Sequence, residues 1–199
     1  ALGRLDEASE EADRAILACP EGIDGESWRI RCRSLALRIS SAQGKQWPEA
    51  VADEVTEAAL TSRWHLPAVL LLAERARREK DPALARQGAA LAMQLGIPML
   101  AARNVEAGGL WSEPTGTAVA SEVRRMADNV PERWRTAWEG LPEVASALAV
   151  PEPGPGEAEE AAAELIEGLE RALREVGLAG ADRLLSPAQR KAAGMRISR

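Results

Sequence analysis

One pattern constrains this chain more than any other: a turn, a helix with small residues along one face, and a closing proline. The chain opens with Leu2-Gly3-Arg4-Leu5-Asp6-Glu7-Ala8, continues through Ala12 and Ala15, and closes the pattern at Pro20. Small residues at i, i+4 and i+7 share a helical face and let a second helix approach closely. Proline ends the helix because it cannot donate the next backbone hydrogen bond. The same half-unit returns at Trp47-Pro48-Glu49-Ala50, with Gly44 in the preceding turn, and at Asp81-Pro82-Ala83-Leu84-Ala85 with Ala89, Ala92 and Pro98. A fainter copy runs through Ala120, Arg124, Ala127 and Pro131. Ala85 stands 35 residues after Ala50, and Ala120 another 35 after Ala85, a spacing typical of stacked helical units. Ala8 to Ala50 is 42 residues, which predicts an extended loop through Glu21-Gly22-Ile23-Asp24-Gly25-Glu26, rich in turn formers.

Composition points the same way. The 199 residues include no Phe and no Tyr, while Ala, Leu, Glu and Arg dominate, so strand formers are scarce and strong helix formers abundant. The expectation is an all-α chain. With 46% hydrophobic and 28% charged residues it is neither disordered nor fibrous. Cys19 and Cys32 are too few for a secreted disulfide framework, and the apolar run from Leu66 to Ala73 falls far short of the roughly 20 residues that span a bilayer. These features predict a cytoplasmic protein with no membrane partner. The formal charge of -6 argues against a nucleic-acid-binding surface over the whole molecule.

The turn glycine, the alanine five residues later and the closing proline closely resemble the second half of a tetratricopeptide repeat, a two-helix unit of about 34 residues. The resemblance implies a right-handed solenoid of antiparallel helix pairs, here irregular and divergent, over residues 1 to about 131. Three departures stand out. The large aromatic expected early in each unit is missing or displaced, Glu57 occupies a position where a small residue is usual, and the fourth unit is broken by Gly108-Gly109 and Pro114-Thr115-Gly116. Residue 1 falls just before the turn into the second helix of its unit, so the chain looks like a fragment of a longer protein.

Further helices are expected at Val130 to Trp138 and from Pro142, completing a repeat domain over 1–150. This arrangement resembles, more loosely, the end of the repeat region in large multidomain bacterial regulators that carry an ATPase or a protein kinase. Pro151-Glu152-Pro153-Gly154-Pro155-Gly156 reads as the core of a linker over 151–157. Beyond it, 158–199 combines an amphipathic helix, with Leu165, Ile166, Leu169, Leu173 and Val176 on its stripe, and a basic tail from Arg183 to Arg199.

No catalytic constellation is visible. There is no glycine-rich phosphate loop, no His-Glu-x-x-His and no Cys-x-x-Cys, and His65 is the sole histidine. No catalytic residue, metal ligand or cofactor is assigned. His65 reads as a cap or packed boundary residue, and Cys32, on one face with Trp28, Leu35 and Ile39, reads as core. The tryptophans read as core and inter-helix fillers.

What remains is surface. From Ser27 to Trp47 the chain carries Arg29, Arg31, Arg33, Arg38 and Lys45 and no acid. Anchored on Ala50 and Ala85, the groove positions of the family fall at Cys32, Leu35, Ile39, Ala42 and Gln43, then at Pro67, Leu70, Glu74, Arg77 and Arg78. Arg31 and Arg38 each sit one residue off. The resemblance therefore implies a peptide groove with Leu35 and Ile39 as apolar floor and Arg31, Arg38, Arg77 and Arg78 as cationic contacts for an acidic or phosphorylated segment. A competing reading keeps Glu74 paired with Arg77 or Arg78 on a solvated face. The lysines and asparagines of the family's clamp for chaperone tails are absent. The implied function is a protein-interaction or regulatory module of a larger bacterial signalling protein, with a peptide or another domain of the parent chain as partner. The alternatives are a nucleic-acid-associated regulator using the basic tail, and an enzyme with an unrecognised site.

Overall fold

A computed structural model of the protein describes residues 4–62 and 65–152, with 154 and 167. Among the described residues the only regular secondary structure is helix, without a strand. The helices are α1 (Leu5–Leu17), α2 (Ile23–Ala42), α3 (Glu49–Thr61), α4 (His65–Glu79), α5 (Pro82–Gln94), α6 (Pro98–Gly108), α7 (Pro114–Ala127), α8 (Glu132–Glu139) and α9 (Pro142–Ala149). The expected amphipathic helix and basic tail of 158–199, and most of the linker, lie outside the described residues, as does Trp64.

Proline sets the starts. It occupies the first helical position of α5, α6, α7 and α9, where its missing N–H is no loss. Asp81 adds a cap to α5 by accepting from the Ala83 N–H at 2.8 Å. The ends share another device. After α2, α4, α5 and α6 a residue with positive φ stands just beyond the helix, namely Gly44, Lys80, Gly96 and Gly109. The next N–H reaches back to a carbonyl five residues earlier, as in Lys45 to Ser40, Asp81 to Ala76, Ile97 to Ala92 and Leu110 to Val105. This closing turn favours glycine, and Lys80 is the exception.

The expected extended loop is shorter than its composition implied. Gly22 makes the turn with a φ of 95°, and α2 begins at Ile23, so the run Ile23 to Glu26 is helical. Gly25 lies flat against the Pro20 carbonyl, where a Cβ would collide. At the opposite end of the same hairpin, Gln43 donates to Asp6 at 2.7 Å. These two contacts make α1 and α2 antiparallel. The pairings of Gly88 with Asn104 and of Ala85 with Gly108 do the same for α5 and α6.

The core is built largely of alanine. Ala52, Ala59, Ala68, Ala76, Ala85, Ala89, Ala92, Ala101 and Ala102 are 0% exposed. Burial also corrects the repeat register. Ala50 is exposed, whereas Ala52, Val55, Thr56 and Ala59 of α3 are buried and recur as the buried Ala85, Gly88, Ala89 and Ala92 of α5, a step of 33 positions from 52 to 85. The step to Gly116, Val119, Ala120 and Val123 of α7 is 31, from 85 to 116. In this register Glu57 points to solvent and no longer interrupts the small-residue face. Gly108-Gly109 ends α6 and Pro114 starts α7, so these residues punctuate the fourth helix pair instead of breaking it. Among the described tryptophans, Trp28 is 56% and Trp134 57% exposed and so are not core, while Trp47, Trp111 and Trp138 pack against the core's margin as the expected fillers.

Candidate functional site: the face of α2, α4 and α6

Beyond their chain neighbours, α2 packs on α4, α4 on α6, and α6 on α9. This gives the even-numbered helices one shared face, and two adjoining hollows open on it. The first, of about 560 Å³, is lined by Arg31, Ser34 and Arg38 of α2, His65, Leu66, Pro67 and Leu70 of α4, and Leu95 and Ile97 from the turn between α5 and α6. The second, of about 470 Å³, is lined by Ala73, Glu74 and Arg77 of α4, Arg103, Glu106 and Ala107 of α6, and Glu143 of α9.

The sequence-predicted groove residues divide. Arg31 and Arg38 line the first hollow, although the Ala50 register put each one position off. Arg31 also stacks on Trp28, its guanidinium 5.1 Å from the ring centre. Arg77 lines the second hollow. Leu35 is 48% exposed, and Ile39 is buried in the core and contributes to neither hollow. Arg78 faces elsewhere: it donates to Ser41 Oγ at 3.2 Å and to the Lys45 carbonyl at 3.1 Å and lies 5.2 Å over the Trp47 ring. That makes it a clasp between α4 and the end of α2. The proposed stripe of Trp28, Cys32, Leu35 and Ile39 is buried only at Ile39.

Most arginines near this face are consumed by the fold. Arg33 of α2 makes a two-pronged pair with Glu54 of α3 at 2.7 and 3.1 Å. Arg75 of α4 reaches Asp53 at 2.6 Å and Glu79 at 2.8 Å. Arg77 pairs with the buried carboxylate of Glu74, which also accepts from Ser41 Oγ. The competing expectation of an intrahelical Glu74 pair is thus met by Arg77.

Two arginines differ. Arg38 and Arg103 make no hydrogen bond or ion pair among the described residues. Arg38 is half-buried, and burial pushes its guanidinium below the ordinary value. The neighbouring Arg103 charge adds to this, while Glu74 opposes it. Glu74, Glu106 and Glu143 share the second hollow with Arg103, whereas the first hollow, on which Arg31 and Arg38 open, is lined by no acid; a carboxylate or phosphate there would relieve the partly desolvated Arg38. Arg103 belongs to no local motif, and the turn residues at Gly108-Gly109 mask the repeat in α6. Its 33-residue step from Leu70, which also lines the face, is the signal that would have found it.

Among the described residues no group of three or more His, Cys, Asp or Glu is placed to hold a metal ion, and no helix is long and apolar enough to cross a membrane. Comparison with known proteins finds no matching family model, curated protein or solved structure.

Proposed function

We propose that this chain is a divergent tetratricopeptide-like right-handed solenoid. It acts as a protein-interaction or regulatory module of a larger signalling protein and binds an acidic or phosphorylated peptide segment across α2, α4 and α6. The observation that carries this reading is the half-buried Arg38, next to the Arg103 charge and with Arg31 on a hollow lined by no acid. A structural arginine in a folded core is normally matched with an acid, as Arg33, Arg75 and Arg86 are here. An arginine kept desolvated and beside a like charge destabilises the empty protein and is stabilised by an anionic ligand. The apolar side chains of Leu66, Leu70, Leu95 and Ile97 beside it supply the desolvated contact area that a bare charge pair lacks.

The reading is supported further by the 33-residue recurrence of buried positions and by the shared face of the even helices, both of which a stack of two-helix units produces. The test is an array of glutamate-rich and phosphoserine peptides, with neutral isosteric versions, probed with the protein and with its Arg38→Glu/Arg103→Glu variant. Acidic peptides held by the parent and lost by the variant, with helicity unchanged, are expected. Equal capture by both proteins, or equal capture of neutral peptides, overturns the reading.

A further inference from the structure

The first hollow is lined by Arg31 and Arg38 and by no acid, and part of its apolar wall stays open to water, with Leu66 48% and Leu95 38% exposed. Arg31 stacks there on the exposed Trp28. A fitting occupant therefore brings an apolar stripe with acids beside it. The same chain carries such a segment. Residues 157–176, which lie outside the described residues except for Glu167, contain seven glutamates against two arginines. Within them Leu165, Ile166, Leu169, Leu173 and Val176 stand at helical spacing. On a helical projection of the sequence, Glu159 and Glu170 border one edge of that stripe and Glu164 and Glu175 the other, whereas Arg171 and Arg174 fall on the opposite side. Glu167 also falls opposite the stripe, and it is helical and exposed.

We infer that residues 157–176 dock in cis across α2 and α4, with the stripe on the first hollow and the edge glutamates at Arg31 and Arg38. The inference rests on the proposal that this hollow takes acidic peptide segments, and it names the segment as the chain's own. Reach permits it. Leu165 lies 15 positions after Val150, the residue that closes α9. The stretch 151–157 alone spans up to about 23 Å when extended, and packed neighbouring helices stand about 8–10 Å apart. A nearer apolar patch, formed by the exposed Trp134, Leu141 and Leu148, shares α8, α9 and the turn between them with three acids, Glu132, Glu139 and Glu143, against two arginines. That patch lacks the hollow's attraction for so acidic a segment.

The consequence is a binding site held by a tethered competitor, present at high effective concentration because it is part of the same chain. An incoming acidic peptide binds only the fraction of molecules whose hollow is open, and its apparent affinity falls by that fraction.

The test uses the full chain with Arg38→Lys, which keeps the charge and supplies an amine, treated with a carbodiimide that joins an amine to a carboxylate in contact with it. The expected product is a link within one chain from residue 38 to a glutamate between 157 and 175, located by peptide fragmentation. Leu165→Asp/Leu169→Asp should abolish the link although it adds negative charge, and Glu164→Lys/Glu170→Lys should weaken it with the stripe intact. With Arg38 retained, Leu165→Asp/Leu169→Asp should bind a glutamate-rich peptide about tenfold more tightly than the parent does. No link from residue 38, a link between two chains, or equal and measurable peptide affinity in parent and stripe variant would each overturn the inference. In the last case, loss of the peptide on Arg38→Glu leaves the peptide site standing without its competitor. A link within one chain, with no peptide bound by either protein, supports the inference and removes the site's role toward foreign peptides.

Discussion

Asn104 of α6 donates through Nδ2 to the Val69 carbonyl of α4 at 3.3 Å and to the Leu100 carbonyl of its own helix at 2.8 Å, while its side chain lies directly against Gly88 of α5. One buried amide thereby joins three helices, and it fits only because α5 has no side chain at that point. A Cβ on Gly88 would meet both Asn104 and Leu72. Gly88→Ala is expected to cost about 1–3 kcal/mol through overpacking, measured by urea denaturation. Asn104→Ala removes the obstacle, so the double variant should be more stable than the sum of the single effects predicts, by about 1 kcal/mol of coupling. Additive losses would show that the two residues do not compete for the same space.

Lys80 adopts a φ of 54° in the closing turn of α4, where Gly44, Gly96 and Gly109 serve the other helices. A left-handed conformation costs a residue with a Cβ about 1–2 kcal/mol, part of which glycine's greater unfolded-state entropy returns. Lys80→Gly should therefore stabilise the protein by up to about 1 kcal/mol. A lower melting temperature for the variant would refute this.

Arg38 sets stability against binding. Replacing this half-buried cation by methionine keeps its packing and removes the desolvation and the repulsion from Arg103, which together outweigh the attraction from Glu74 that is lost with them. Arg38→Met should raise stability by about 0.5–2 kcal/mol, as relieved functional strain commonly does, while weakening capture of acidic peptides. A loss of stability would mean that the guanidinium serves the fold, and the case for a ligand there would lapse.

The pair of Arg33 and Glu54 gives a pH signature. Hydrogen bonding and attraction from Arg33 hold the Glu54 carboxyl below its ordinary 4.5. A depressed folded-state value means that the contribution is complete above the unfolded value and is lost as pH falls through the folded one. The stability difference between the parent and Glu54→Gln should therefore be constant near neutrality and shrink below about pH 4.5. Glu54 is solvent-exposed, so the difference should be small and weaken further with added salt. An effect that grows on acidification would contradict this sign.

Arg124 of α7 tethers α9. Its Nη2 donates to the Ala147 carbonyl at 3.3 Å and to the Val150 carbonyl, satisfying groups at a helix end that would otherwise lack partners. Arg124→Ala should cost about 1–3 kcal/mol in local stability, read as faster amide exchange in α9 with little change in α4 or α5. Uniform loss of protection along the chain would show that α9 and the body unfold as one unit.

The helical character of the chain was legible because alanine periodicity, proline starts and glycine stops are local signals. The register was not, because several alanines compete on each helix and burial alone distinguishes Ala52 from Ala50. On α2 the lining residues Arg31, Ser34 and Arg38 each precede the predicted Cys32, Leu35 and Ile39 by one position, an offset that the change of anchor from Ala50 to Ala52 does not produce. Arg78 was misassigned because its tie to Lys45 and Trp47 spans more than 30 residues and leaves no trace in local pattern. The close join of α1 to α2 was hidden too: it depends on a hairpin closing around Gly22 and Gly25, whose tightness follows from close backbone approach at Pro20 and not from turn-forming composition.

An interior made so largely of methyl groups has a thermodynamic consequence. Alanine has no side-chain torsions to freeze, so ordering this core costs backbone entropy almost alone. The apolar area released on unfolding is also small for the number of residues buried. Both the heat-capacity increment and the denaturant slope should therefore lie below the averages for a helical body of this length. Such a protein has a broad, shallow stability curve that changes little between cold and warm conditions.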